Sequence, residues 1–340
     1  MFSWANRYLP LTVSPASQIG SPAYYALRLI EQVSMFSLPA FLFVSGYFVS
    51  VQAGRTGNIR WSAIWSRIRT LLIPFLLWSL VTIILVVLEG KRYGPLEFIW
   101  VWITGQANEV LYFVPLLIQF YLLAPFFVRA IRWNWKLALL ILALVQIVVI
   151  LISYPRWMGI DTALSNQLLY LIPIWIFVSR ILWFPLGIAV GFHVSAVEKW
   201  ISKYSLWLLA GALVLIPVGM LEWEYLFHAS GMDWLPTRET VIDVIYSLAL
   251  ILGVLGLANK RLIGMKLLSD IGIRSYGIYL IHALAITYTA KLIYHFAPAL
   301  LGYQIILQPV FVIAGLGIPL LMMYVVEHLP IKRFYVYLFG

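Results

Sequence analysis

The chain has 340 residues, of which 63% are hydrophobic and only 11% charged, with a net charge of +10 and no cysteine. A soluble domain carries about 25% charged residues and is about half apolar, so the composition excludes an ordinary soluble fold. The apolar runs are apolar on every face, which excludes an outer-membrane barrel, whose strands alternate. In chain order, residues 1–31 come first, a mixed stretch with Pro10, Pro15 and Pro22. They read as an irregular external segment with a short amphipathic end. Apolar stretches follow at 32–51, 70–89, 110–129, 136–154, 173–194, 205–222, 240–258, 275–294 and 303–326. Each is near the ~20 residues that cross a bilayer as a helix. The expectation is an all-α polytopic membrane protein of about nine transmembrane helices, with a membrane domain over 32–329 and a tail over 330–340. The run FIWVWIT (98–104) is too short to cross and reads as an interfacial, re-entrant or loop helix.

Lysine and arginine set the orientation. One set of alternate connections holds Arg55, Arg60, Arg67, Arg69, Arg129, Arg132, Lys136, Lys199, Lys203, Lys260, Arg261, Lys266, Arg274, Lys332 and Arg333. The other holds Arg7, Arg28, Lys91, Arg92, Arg156, Arg238 and Lys291. Basic residues favour the cytoplasmic side, so the first set is expected inside, with the N-terminus outside and the tail cytoplasmic. The same dispersal between spans accounts for the net charge without a nucleic-acid partner. Thiolate metal sites and disulfides are excluded by the lack of cysteine. No two of His193, His228, His282, His295 and His328 share an i, i+4 spacing, so no metal site is expected.

Ionisable or amide groups inside spans are costly, and each is a candidate. Arg180 could bind an anionic or polyhydroxylated ligand, or its stem could snorkel to the outer interface. Ser275, Tyr279 and His282 follow i, i+4, i+7 and form a polar stripe on one helix face. His282 there could act as a general base, line a substrate site, or bond a neighbouring helix. Gln119, Gln146 and Gln308 lie mid-span, and each needs a partner. Arg67 and Arg69 stand where the second span begins. Their guanidinium forks suit the phosphates of a cytoplasmic donor, or topology and anionic membrane lipids.

Six stretches together resemble the acyltransferase 3 family of integral membrane acyltransferases. They are LPAFLFVSGYF (38–48), SRIRTLLIPFLLW (66–78), YFVPLLIQFYLLAPFF (112–127), FPLGIAVGF (184–192), SYGIYLIH (275–282) and VVEHLPIKRF (325–334). The resemblance implies about ten helices and transfer of an acyl group, often acetyl or succinyl, from cytoplasmic acyl-CoA. The acceptor is a hydroxyl of an envelope glycan, a lipid-linked sugar or a secreted small molecule. It also implies that acyl-CoA is a co-substrate with no resident cofactor, and that the protein sits in the inner (plasma) membrane. By resemblance, Arg67 and Arg69 meet the CoA phosphates. Arg180, Tyr279, Gln119 and Tyr112 are candidates for acceptor contact or for lining an acyl tunnel, and His282 is a stand-in base.

Two positions depart from the family pattern. The family's first helix carries a basic residue and a histidine, the favoured base, and this chain begins where that helix would end. Val110 stands where a histidine often precedes the aromatic pair. The expectation is therefore a chain lacking its first helix. The alternative to an O-acyltransferase is a glycan exporter or an assembly partner in polysaccharide synthesis.

Overall fold

The structure is a computed structural model, and it describes residues 19–54, 57, 59–108, 110–160, 162–232, 235, 239–257 and 264–340. Arg7, Arg55, Arg238, Lys260 and Arg261, counted above for orientation, lie outside the described residues. Thirteen α-helices occur among the described residues, in chain order: α1 Pro22–Ser34, α2 Ser37–Ala53, α3 Trp61–Leu88, α4 Pro95–Thr104, α5 Phe113–Trp157, α6 Ala163–Leu171, α7 Trp183–Phe192, α8 Val194–Ser230, α9 Val241–Leu255, α10 Met265–Ile273, α11 Ser275–Phe296, α12 Gln304–His328 and α13 Tyr335–Phe339. No strand occurs among the described residues. Among the described residues six helical stretches are long and apolar enough to cross a membrane, namely Pro22–Ala53, Trp61–Leu88, Phe113–Trp157, Val197–Ser230, Ser275–Phe296 and Ile305–His328. The protein is an all-helical, multi-pass membrane protein. Its outer faces fit that solvent: Leu137, Leu140, Ile141, Leu144, Val148 and Leu151 form an exposed apolar stripe on α5.

Several expected boundaries shift, each for a local reason. The short amphipathic end expected for the segment up to residue 31 is a helix that starts at Pro22 and runs on to Ser34. Proline is favoured at the first helical position, where its missing N–H is not needed. Tyr24, Arg28 and Gln32, spaced i, i+4, i+8, give this helix a buried face. The stretches expected at 110–129 and 136–154 form one helix, α5, interrupted at Asn134, which is extended at φ −158° and ψ 93°. The Asn134 side chain accepts the Leu137 N–H at 3.1 Å, an N-cap for the second half. At 1.5 Å per residue an unbroken α5 would be about 67 Å long, roughly twice the hydrocarbon thickness, so a break in this basic region suits two crossings.

The stretch expected at 173–194 is not one helix. It contains a 3₁₀ turn, Phe177–Arg180, and only then the short helix α7. Irregular backbone at membrane depth needs internal partners, and two glutamines of α5 supply them. Gln119 Nε2 donates to Trp175 O at 2.8 Å and its Oε1 accepts from Phe177 N at 3.2 Å. Gln146 Nε2 donates to Ser179 O at 3.0 Å and its Oε1 accepts from Leu182 N at 3.4 Å.

The chain divides into two compact units. The first comprises the N-terminal residues to Ala23, Ser62–Ile118 and Leu262–Gly340, and the second Tyr24–Trp61 and Gln119–Arg261. The core of the first unit joins Phe75, Trp78, Leu111, Val114, Ile278, Ile281, Met323 and Phe339. Pro74 interrupts the hydrogen-bond ladder of α3, and the Tyr276 hydroxyl donates to the nearby Leu71 carbonyl at 2.5 Å. Trp78 Nε1 donates to Leu338 O at 2.8 Å, which holds α13 against α3.

In the second unit, α2 and α7 meet backbone to backbone. A Cβ at Gly46 would lie 1.9 Å from Phe184 O, one at Gly187 1.9 Å from Phe43 O, and one at Gly191 1.7 Å from Ser50 Oγ. Small residues permit this approach where lipid offers helices no hydrophobic drive to associate.

Candidate functional site

The first unit contains a cavity of about 520 Å³. Three elements shape it. The end of α3 contributes Thr82, Leu85, Val86 and Glu89, the turn after α4 contributes Gln106 to Asn108 with Val110, and α11 contributes His282 to Lys291. The turn starts at Gly105, whose φ of 72° is left-handed and whose missing Cβ would stand 2.7 Å from Leu111 O. Only glycine fits both conditions. Helix α4 is held to α3 by Trp102, whose indole Nε1 donates to Leu76 O at 2.8 Å and whose carbonyl accepts from Ser79 Oγ at 3.2 Å. The turn therefore hangs from a fixed support.

His282 is half-buried and lines the cavity. Its Nδ1 lies 2.7 Å from Tyr279 O and 3.2 Å from Ile278 O. Carbonyl oxygens only accept, so Nδ1 carries the proton and Nε2 keeps its lone pair. Tyr279, one turn earlier, donates its hydroxyl to Val110 O and packs edge-on against Phe113 at 5.7 Å between ring centres. Two members of the expected polar stripe thus have distinct duties: His282 faces the cavity, and Tyr279 fastens the cavity turn to α11.

At the far end of the cavity Lys291 pairs with Glu89. Tyr288 donates to the same carboxylate oxygen at 3.4 Å, and Lys91 lies over the Tyr93 ring at 4.7 Å. Ion pair and phenols make this a polar end, suited to a hydroxylated ligand.

The opposite end of α3 carries Arg67 and Arg69, both exposed, while Ile64 and Ile68 are buried. From Arg69 to Thr82 the helix rises about 20 Å. Beside this end, Arg274 bonds both oxygens of Glu327 at 3.4 Å, and the pair holds the Arg274 charge more firmly protonated than usual. SYGIYLIH and VVEHLPIKRF are thereby joined at their ends. Tyr112 is half-buried in the same unit and is not among the residues lining the cavity.

Arg180 and Gln119 belong to the second unit. Both ends of the Gln119 amide are engaged by backbone, as above. Arg180 Nε lies 4.0 Å from Glu239 Oε2, and both side chains line a small cavity of about 40 Å³. Glu239 Oε1 also accepts from Trp183 Nε1 at 2.9 Å. Burial raises the Glu239 carboxyl to about 7, against the pull of Arg180.

Sequence reasoning missed Glu239 and the polar network around α1. Tyr24 donates to Glu224 at 2.8 Å, Gln32 to Asp243 at 2.7 Å, and the Arg28 guanidinium lies 3.5 Å from the Trp223 ring centre. The signal was present as the i, i+4, i+8 spacing of Tyr24, Arg28 and Gln32, in a segment whose prolines read as irregular. No cluster of metal-ligating side chains occurs among the described residues.

A model of the acyltransferase 3 family, described as an acyltransferase domain, matches residues 8–328. The chain belongs to the acyltransferase 3 family. No curated protein and no solved structure matches it. Acyltransferase 3 membership fits the arrangement of the first unit, where four of the six quoted stretches, SRIRTLLIPFLLW, the start of YFVPLLIQFYLLAPFF, SYGIYLIH and VVEHLPIKRF, contribute to one core. LPAFLFVSGYF and FPLGIAVGF pair in the second unit as the glycine contact of α2 with α7.

Proposed function

We propose that this acyltransferase 3 protein is an inner-membrane O-acyltransferase that moves an acetyl or succinyl group from cytoplasmic acyl-CoA to a hydroxyl of an envelope glycan or lipid-linked sugar. The observation that carries the proposal is His282, on the cavity wall with Nδ1 engaged by backbone and a lone pair left on Nε2. In this reading Nε2 takes the acceptor's hydroxyl proton as the oxygen attacks the thioester carbonyl. The carbon–sulfur bond then breaks, and the CoA thiolate leaves with the proton from the imidazolium.

The rest of the first unit supports this division of labour. Arg67 and Arg69 hold the donor phosphates by charge-assisted hydrogen bonds, and the acyl arm reaches along α3 to the cavity. By the lysine and arginine distribution the Arg67 end is cytoplasmic and the Glu89–Lys291 end external. The acceptor enters from outside, where Tyr93 and Tyr288 meet its hydroxyls.

Membranes holding the full chain, incubated with labelled acetyl-CoA and labelled succinyl-CoA in parallel, test the proposal. Label from one donor appears in the envelope glycan or lipid-linked sugar fraction, and the Arg67→Ala, Arg69→Ala double variant needs a higher donor concentration for the same labelling. Labelling no greater than in membranes lacking the protein sinks the enzyme reading and leaves export or assembly.

A further inference from the structure

The first-unit cavity holds a second group that the acyl-transfer reading needs. Attack on a thioester drives negative charge onto the carbonyl oxygen, and preorganised donors aimed at that oxygen are a main source of rate. Two neutral amides line the cavity, Gln106 and Asn108. They differ in setting. Gln106 is exposed and Asn108 half-buried. Asn108 Oδ1 accepts the Val110 N–H at 3.2 Å, and its own carbonyl accepts Leu111 N at 3.3 Å. With the amide oxygen turned to the Val110 N–H, the N–H₂ is the side chain's donor group.

The turn that carries Asn108 is also fixed to the helix that carries His282. Tyr279 OH donates to Val110 O, and Tyr279 O is the nearer acceptor of His282 Nδ1, at 2.7 Å. One tyrosine therefore holds both walls, through its side chain on one and its backbone on the other.

We infer that Asn108 is the oxyanion donor of this site, its Nδ2–H₂ receiving the charge that develops on the thioester oxygen, with Tyr279 as the positioning residue that holds Asn108 and His282 in register. The inference rests on the acyltransferase reading above. As the acceptor oxygen bonds to the carbonyl carbon, its proton passes to His282 Nε2 and the carbonyl electron pair moves onto the oxygen facing Asn108. That pair returns as the carbon–sulfur bond breaks, and CoA leaves as the thiol with the proton from His282. Water can stand in for the acceptor, giving acetate and free CoA by the same steps.

The test is thiol release from acetyl-CoA by the purified full chain in lipid nanodiscs, with water as acceptor. The chain contains no cysteine, so released CoA is read without protein background. Asn108→Ala is expected to lower kcat by about 10²–10³ with the KM for acetyl-CoA unchanged. Asn108→Asp keeps the oxygen that accepts from Val110 N–H but has no N–H to donate. A donor role predicts a loss as large as that of Asn108→Ala, whereas a merely turn-capping role predicts near-normal activity. Gln52→Ala, at an exposed amide near the end of α2 and outside the cavity, is the matched control and is expected within about threefold of the parent chain.

Asn108→Asp as active as the parent chain, or a change in KM alone for Asn108→Ala, overturns the assignment of Asn108 while His282→Gln still abolishes release. Thiol release absent from the parent chain, or undiminished in His282→Gln, overturns the acyltransferase reading and this inference together.

Discussion

Tyr279 fastens the cavity turn to α11 through its hydroxyl. Its hydroxyl has one acceptor, Val110 O, and removing it leaves a half-buried carbonyl without that bond. Tyr279→Phe is expected to cost about 1–3 kcal/mol of stability and to lower kcat with the acetyl-CoA KM preserved, read from thermal unfolding and steady-state rates. A raised KM with kcat intact would place Tyr279 in donor binding instead. Arg67 and Arg69 give the reverse pattern. They are exposed and at the far end of α3 from the cavity, so their joint replacement by alanine raises the donor KM and weakens its salt dependence, with kcat at saturation unchanged. Glu239 is a residue-scale case with a pH signature. Its carboxyl is raised from 4.5 to about 7 by burial, so between those values the folded protein holds a proton that the unfolded chain has released. Stability from this group is complete below the lower value and falls as pH rises toward the upper one. Melting temperature in detergent is expected to decline over that window, and Glu239→Gln to flatten the decline. An equal slope in the variant would contradict the assignment.

At the scale of elements, hydropathy read the long helices well and the irregular ones poorly. The stretch at 173–194 is apolar throughout, and nothing in its composition marks that residues 177–180 form a 3₁₀ turn. The clue lay in another helix. Gln119 and Gln146 were recognised as needing partners, but sequence could not say that the partners were backbone atoms of the broken segment. Asn134 sits between Trp133 and Trp135 in a basic stretch, and its capping role was visible only as a gap between two apolar runs. The pairing of α2 with α7 is half-legible: both stretches, 38–48 and 184–192, stand out by resemblance, but not that the glycines of each make room for the other. Gly187→Leu and Gly46→Leu place a side chain where carbonyl oxygens already stand. Each is expected to destabilise by about 1–3 kcal/mol or more, measured as loss of folded protein on mild heating in detergent. Gly211→Leu, at a position with open space, is the control.

For the whole molecule, composition and patterning were enough to give an all-helical, multi-pass membrane protein, because apolar length is what a bilayer selects. The site was legible only in part. His282 and Tyr279 are picked out as candidates by helical spacing and stand one turn apart on α11, His282 on the cavity wall. The cavity position of Asn108 is not legible in the sequence, since a lone asparagine in a loop is indistinguishable from an ordinary turn residue until the fold brings the loop against α11. Arg180 was noted from its depth in an apolar run, but its neighbour Glu239 comes from a distant connection. The proposed role that matters most is that of His282 as the base for acyl transfer in the first-unit cavity. The direct measurement is transfer of labelled acetyl from acetyl-CoA to envelope material by the full chain and by His282→Gln, with folding of both verified by thermal unfolding. A base in this role is worth about 10²–10⁴ in rate, so His282→Gln is expected to label at about one hundredth of the parent rate or less. Labelling by a folded His282→Gln protein within about twofold of the parent contradicts it.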